Sequence, residues 1–273
     1  MKLFNVYKFD VLRQKKSFFI WTAVLTAVTL LFYLLFPLME TSEMSAMMQT
    51  VFADSEDILK VLNMNGFPDF SDLTEYLAYC SQYIGIALCV YAAILGTTSL
   101  IREESEGTIE LLYSKPIKRS GIVSMKIMSA MTNIILVNLV LFVVNVIMCS
   151  ANSPSPAYDF MTYLVSSTGA MLLAQITYFA LGIMISTVLK RARAATPIAL
   201  LLFFGLYIIG VVSKFVEDLA FIESISPFNS AAPANFVSGF GIEVPSLIIM
   251  GIMIIGGTMI AYMTYNEKDM QLI

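Results

Sequence analysis

A short charged segment between two apolar stretches carries the side chains best suited to chemistry in this sequence. Residues 102–120 read REESEGTIELLYSKPIKRS. On a helix with 100° per residue, Glu103, Glu106 and Glu110 fall within about 60° of one another. Like charges at this spacing destabilise an isolated helix by roughly 0.2–0.5 kcal/mol per pair. The ridge is typical either of a surface that docks on a basic partner or of a solvated acidic turn.

The residues that would turn these carboxylates into a catalytic or metal site are missing from the sequence. The chain has no histidine, which excludes histidine bases, histidine-ligated zinc and histidine proton relays. It also has no phosphate-binding loop, nucleophile elbow or zinc-protease motif. Cys80 and Cys149 are expected to pack as small apolar residues, with a disulfide as the alternative. We therefore predict no catalytic residue, no metal site and no cofactor bound by this chain.

A second set of polar side chains lies inside the apolar stretches. Its members are Asn133, Asn138, Asn145, Gln175 and Tyr178. Asn138 and Asn145 are seven residues apart and share one helix face. Such amides either bond neighbouring helices, at about 0.6 kcal/mol each, or line a route for polar cargo, and we favour packing. No ionisable side chain lies deep in a stretch, which argues against a carrier coupled to protons or sodium.

The elements that position these residues are six long apolar helices. The sequence is 58% hydrophobic and only 13% charged, whereas soluble domains carry about 25% charged residues. A membrane-crossing helix needs about 20 mostly apolar residues, because every backbone group in lipid must bond within the chain. We predict an all-α polytopic membrane protein forming one domain over residues 1–273, with spans at approximately 17–39, 77–101, 125–149, 161–189, 195–213 and 244–265.

The basic residues fix the expected orientation. With the N-terminus in the cytoplasm, 14 of the 16 lysines and arginines lie inside, and only Lys60 and Lys214 lie outside. Six spans then place both termini in the cytoplasm. Residues 1–16 are amphipathic and predict a helix in the inner headgroup layer or a lead-in to the first span. Outside, we expect an amphipathic helix within residues 40–75, a helix start at Asp72, and short helices within residues 214–243.

The acidic segment resembles the signature of ABC transporter permeases of the type 2 exporter family. The matching positions are Glu103, Gly107, Thr108, Ile109, Glu110, Leu112, Ser114, Pro116, Ile117 and Arg119, with Lys126 following. The signature lies between the second and third of six spans, as it does here. Residues 265–270 resemble the ending of that family, and the Ser226-Pro227-Phe228 run is similar to its last outer loop.

The resemblance implies that two permease subunits form a translocation path, each served by a separate ATPase subunit that binds ATP and Mg²⁺. A short cytoplasmic coupling helix, residues 103–113, then seats in a groove on the ATPase. The coupling residues carried over are Glu103, Glu104, Glu106, Gly107, Thr108, Glu110, Leu112, Pro116 and Arg119. Which carboxylate makes the main contact stays open.

The expected function is therefore that of a non-enzymatic transport subunit in a bacterial cell membrane. Its partners are the ATPase, a second permease and the bilayer, without nucleic acid. The expected cargo is an amphiphilic peptide, an antibiotic or a lipid-like molecule. Two alternatives are an accessory or receptor-like membrane protein that transports nothing, and a membrane enzyme acting on lipid that uses the acidic cluster to hold a cation.

Overall fold

Six long helices make up most of the structure. A computed structural model describes residues 3–39, 50, 70, 72–105, 118–152, 158–215, 220–237 and 241–268, and within them all regular structure is helical. The long helices are α1 (Leu3–Met39), α2 (Leu73–Thr98), α3 (Arg119–Asn152), α4 (Tyr158–Val188), α5 (Ala195–Ser213) and α6 (Val244–Glu267). Each is long and apolar enough to cross a membrane, which confirms the predicted number of spans.

Local signals in the sequence explain several helix boundaries. The Asp72 carboxylate accepts hydrogen bonds from the backbone N–H groups of Thr74 (2.7 Å) and Glu75 (3.1 Å), so α2 begins where the sequence predicts. Pro197 lies in the first turn of α5, where a missing N–H costs no intrahelical bond. After α2, a separate short helix, Ile101–Ser105, begins within the predicted second span.

Helix α4 is the centre of the bundle. It packs against α2 on one side and α6 on another, while α1 packs along α3 and α5 packs against α2. Glycines allow the closest approach: a Cβ on Gly96 of α2 would lie 2.5 Å from the carbonyl oxygen of Phe179 in α4. A Cβ on Gly182 of α4 would lie 2.9 Å from the carbonyl oxygen of Ala93. Small residues therefore bring the α2 and α4 backbones together, as is usual between membrane helices.

The segment between α5 and α6 folds back onto the bundle. It contains the short helices Ala220–Glu223 and Pro227–Ser230 and the 3₁₀ turn Pro233–Phe236. Ser226 caps the second helix, and the Phe228 ring is fully buried beside Phe203 and Tyr207. The short helices predicted for this part of the chain are present.

The last two predictions about the fold concern the cysteines and the outer helix within residues 40–75. Cys80, Cys89 and Cys149 are free thiols, with Cys89 and Cys149 buried, so the structure has the packing alternative and not the disulfide. The outer amphipathic helix predicted within residues 40–75 falls mostly outside the described residues.

Candidate functional site

The first turns of α1 turn a polar side towards the protein. Val6, Asp10 and Gln14 recur every four residues and are all buried. Phe9 and Leu12, which lie on other sides of the helix, are 59% and 57% exposed. This arrangement is the reverse of a soluble amphipathic helix, and it suits a helix whose outer side meets lipid. The segment also runs into the first span without a break, so it is the lead-in alternative and not a separate helix.

The inward side of α1 completes a cluster of four charged side chains, hereafter the charge cluster: Asp10, Arg13, Glu103 and Lys126. The Lys126 Nζ lies 3.0 Å from Asp10 Oδ1 and also binds Glu103 Oε1. Arg13 lies 3.6 Å from the same Glu103 oxygen. The cluster joins α1, α3 and the short helix after α2 through one ammonium group.

Amide side chains extend the cluster into the bundle. Gln14 donates to Asp10 Oδ2 at 2.8 Å and accepts a hydrogen bond from the Asn133 side-chain amide. Asn133 and Lys126 are seven residues apart on α3, so one face of α3 supplies both groups. Asn133 therefore binds α1, and its role in a translocation path stays a prediction.

Burial makes the charge cluster energetically costly to break. Lys126, Asp10 and Glu103 are only 2%, 5% and 6% exposed. Removing an ion from water costs several kcal/mol, which is recovered only with well-placed partners. Two cations and two carboxylates balance here, so each charge has an opposite neighbour. Removal of one partner of a buried pair costs about 3–5 kcal/mol, because the other charge is left uncompensated.

A serine on α4 fixes the position of Glu103. The backbone N–H groups of Leu100 and Ile101 donate to Ser186 Oγ at 3.0 and 3.1 Å. These bonds satisfy backbone donors at the start of the helix Ile101–Ser105. The helix thus begins in contact with α4, and one turn later its Glu103 side chain lies against α1 and α3.

The other end of the predicted coupling segment is also bound to the bundle. Arg119, the first residue of α3, donates from Nη1 to the carbonyl oxygens of Asn266 (3.1 Å) and Lys268 (2.8 Å). A cation suits this position, because the unpaired carbonyls at a helix C-terminus carry partial negative charge. Glu103 and Arg119, both predicted to contact an ATPase, thus each bind another helix of the same chain.

Most residues between Glu103 and Arg119 are not among those that the structure describes. The predicted coupling residues Glu106, Gly107, Thr108, Glu110, Leu112 and Pro116 lie outside the described residues. Glu104 belongs to the helix Ile101–Ser105 by its backbone. The coupling role of all of them stays a prediction.

The remaining polar residues of the spans bind neighbouring helices. Asn138 and Gln175 exchange two hydrogen bonds, 2.8 and 3.1 Å long, between α3 and α4. Asn145 Oδ1 accepts from the Tyr33 hydroxyl at 3.1 Å. The buried Tyr178 ring lies 5.2 Å from Phe203. These are contacts of the helix-packing kind, and a translocation role for these residues stays a prediction.

A small cavity lies beside these amides, between α2, α3 and α4. Its volume is about 60 Å³, and its lining includes Ser81, Asn138, Asn145, Tyr163 and Met171. Ligand pockets are usually about 300–1,000 Å³. The cavity is therefore too small to hold a cargo molecule in this conformation.

The model for ABC-2 family transporter proteins matches residues 9–270. The chain belongs to this family. The matched range includes all four residues of the charge cluster and extends from α1 to the end of α6. A search among curated proteins finds no match. The protein is thus a multi-pass ABC-2 type permease, a membrane component of a transporter, as the motif in residues 103–119 predicts.

Sequence reasoning missed the inward partners of this ABC-2 permease. Asp10 and Gln14 have the four-residue spacing of one helix face, which was the available signal. Lys126 was noted only as a basic residue that follows the motif. Its burial depends on residues 23 and 116 positions away, and no local pattern shows such pairing.

Proposed function

We propose that this ABC-2 permease is the membrane subunit of an ATP-driven exporter in a bacterial cell membrane. The observation that carries the proposal is the family match over residues 9–270. The chain has no phosphate-binding loop of its own, so a separate ATPase subunit supplies ATP and Mg²⁺ binding. Two permease subunits form the path, and both termini of each lie in the cytoplasm, where the basic residues concentrate.

The ATPase contact is the segment 103–113. The carboxylates that meet a basic groove on the partner are those of Glu104, Glu106 and Glu110, because Glu103 is buried against Lys126. Docking removes the repulsion between neighbouring carboxylates. The anchoring of Glu103 supports this role, since a segment fixed to the bundle where it begins passes a push into it more directly than a loose loop does.

The cargo is amphiphilic: a peptide, an antibiotic or a lipid-like molecule. The buried charges of the described residues, Asp10, Glu103 and Lys126, already bind one another, so they offer no open partner for a hydrophilic ion. We expect an amphiphilic cationic peptide or a lysolipid to stimulate ATP turnover, and a free sugar to have no effect. Equal turnover with all three probes contradicts this cargo class.

Co-expression tests the ATPase assignment. The permease is purified in mild detergent together with a co-expressed candidate ABC ATPase, and vanadate-sensitive ATP turnover is measured in lipid. We expect Gly107→Asp and Glu110→Lys to lower copurification and turnover. The matched control is Glu243→Lys, because Glu243 is exposed and precedes α6 at the other end of the bundle. Unchanged complex formation and turnover in both coupling variants contradict the proposal.

A further inference from the structure

We propose that Lys126 is a positioning residue that passes motion of the ATPase-facing segment into α1. The inference rests on the proposed function and adds the internal route. Lys126 touches no ATPase in this proposal. It binds Glu103, the last described acidic side chain before residues 106–117, and Asp10 of α1. The Lys126 ammonium group thus links Glu103, at the start of the ATPase-facing segment, to both α1 and α3.

The short helix Ile101–Ser105 has the geometry of a pivot. Its first residues bind Ser186 of α4 through two backbone N–H groups. Its third residue, Glu103, binds Lys126 of α3 and lies 3.6 Å from Arg13 of α1. A displacement of the residues that follow Ser105 therefore rotates the helix about α4. Glu103 then moves α1 and α3, because its ionic contacts are buried and breaking them would leave uncompensated charges.

Further contacts between α1 and α3 make these two helices move as a unit. The Tyr7 hydroxyl lies 3.0 Å from Thr132 Oγ1, and Asn133 binds Gln14 one turn above the charge cluster. The opposite sides of α1 have few protein neighbours, as the exposure of Phe9 and Leu12 shows. Described contacts of α1 with α2, Trp21 on Tyr91 and Phe32 on Tyr76, lie beyond its first four turns, so we expect the shift of α1 relative to α4 to be concentrated in those first turns.

A distance measurement in the assembled transporter tests this route. The full permease, with its three cysteines replaced by serine, carries spin labels at Leu12→Cys on α1 and Val188→Cys at the end of α4. Both positions are exposed, at 57% and 68%. The complex with its ATPase is placed in lipid nanodiscs, and the distance between the labels is measured without nucleotide and with ATP plus vanadate. We expect a nucleotide-dependent change in distance.

The variants separate a positioning role from a structural one. Lys126→Met should lose the nucleotide-dependent change while the ATPase still copurifies, and Lys126→Arg should keep it. If Lys126→Met does not fold, Asp10→Asn serves instead, because it keeps the Glu103 contact, preserves the side-chain volume and weakens the link to α1. This variant should show a smaller change in distance than the unsubstituted complex.

Each outcome decides one of the two proposals. A full nucleotide-dependent change in Lys126→Met, or none in the unsubstituted complex, overturns the inference and leaves the ATPase assignment intact. Loss of ATPase binding in a folded Lys126→Met permease also overturns it, since Lys126 then serves docking and not transmission. Failure of the unsubstituted permease to bind any ATPase contradicts the proposed function itself, and the inference falls with it.

Discussion

Replacing Lys126 by methionine should strongly destabilise the permease. Methionine has nearly the length of lysine, so the change removes the charge and keeps most of the packing. Asp10 and Glu103 are then left at 5% and 6% exposure without their shared ammonium partner, while Arg13 still lies 3.6 Å from Glu103. Removing one partner of a buried ion pair costs about 3–5 kcal/mol, and we expect a loss in that range. Reversible unfolding in mixed micelles with increasing SDS measures it.

A second variant tests whether charge balance is the cause. Asp10→Asn combined with Lys126→Met leaves Arg13 and Glu103 as one opposite pair, so the double variant should recover part of the lost stability. The control is Lys15→Met, because Lys15 is exposed on the same helix and contacts the Phe19 ring at 5.9 Å. Its effect should stay within about 0.5 kcal/mol. A double variant that is no more stable than Lys126→Met alone refutes the electrostatic reasoning.

Three further predictions concern helix packing. Gly96→Val should cost at least about 1–3 kcal/mol by forcing α2 away from α4, whereas Gly205→Ala, with open space at its Cβ, should be nearly neutral in the same unfolding assay. Asn138→Leu should lower the free energy of unfolding by about 0.6 kcal/mol or more, and adding Gln175→Leu should recover part of that loss. A double-mutant cycle that shows no coupling between the two positions contradicts the pairing of these amides. Arg119→Gln should speed hydrogen exchange at the C-terminal end of α6, and unchanged exchange there contradicts the observed anchoring.

The number of spans was readable from the sequence because the bilayer imposes a minimum length on each of them. A helix in lipid must satisfy its own backbone, so charge-free length alone predicts a span. Local chemistry also predicted the start of α2 at Asp72 and the short helices around Pro227. These signals act within a few residues, and a sequence displays them directly.

The charge cluster was not readable, because it depends on pairing between distant parts of the chain. Residues 1–16 have the composition of a headgroup-layer helix, with lysines beside phenylalanines. The one sign in this segment that a polar side faces the protein is that Asp10 and Gln14 lie on the same helix face. That sign can be interpreted only when Lys126 and Asn133 are known to lie opposite it. The same limit applied to Asn138 and Gln175, whose spacing left packing and a polar route both open.

The polar contacts of α1 have a mechanical consequence, because only seven of the 37 residues of α1 are buried. Apolar side chains do not fix its position, since lipid tails are as apolar as its neighbours. Hydrogen bonds fix it at two depths on α3: the charge cluster, Gln14 and Tyr7 near one end, and Tyr33 on Asn145 near the other. A slip by one helical turn, about 5.4 Å, would break all of these contacts together. Motion that reaches α1 through Lys126 is therefore motion of the α1–α3 pair, and a substitution at Tyr33 should loosen the pair without uncoupling it from Glu103.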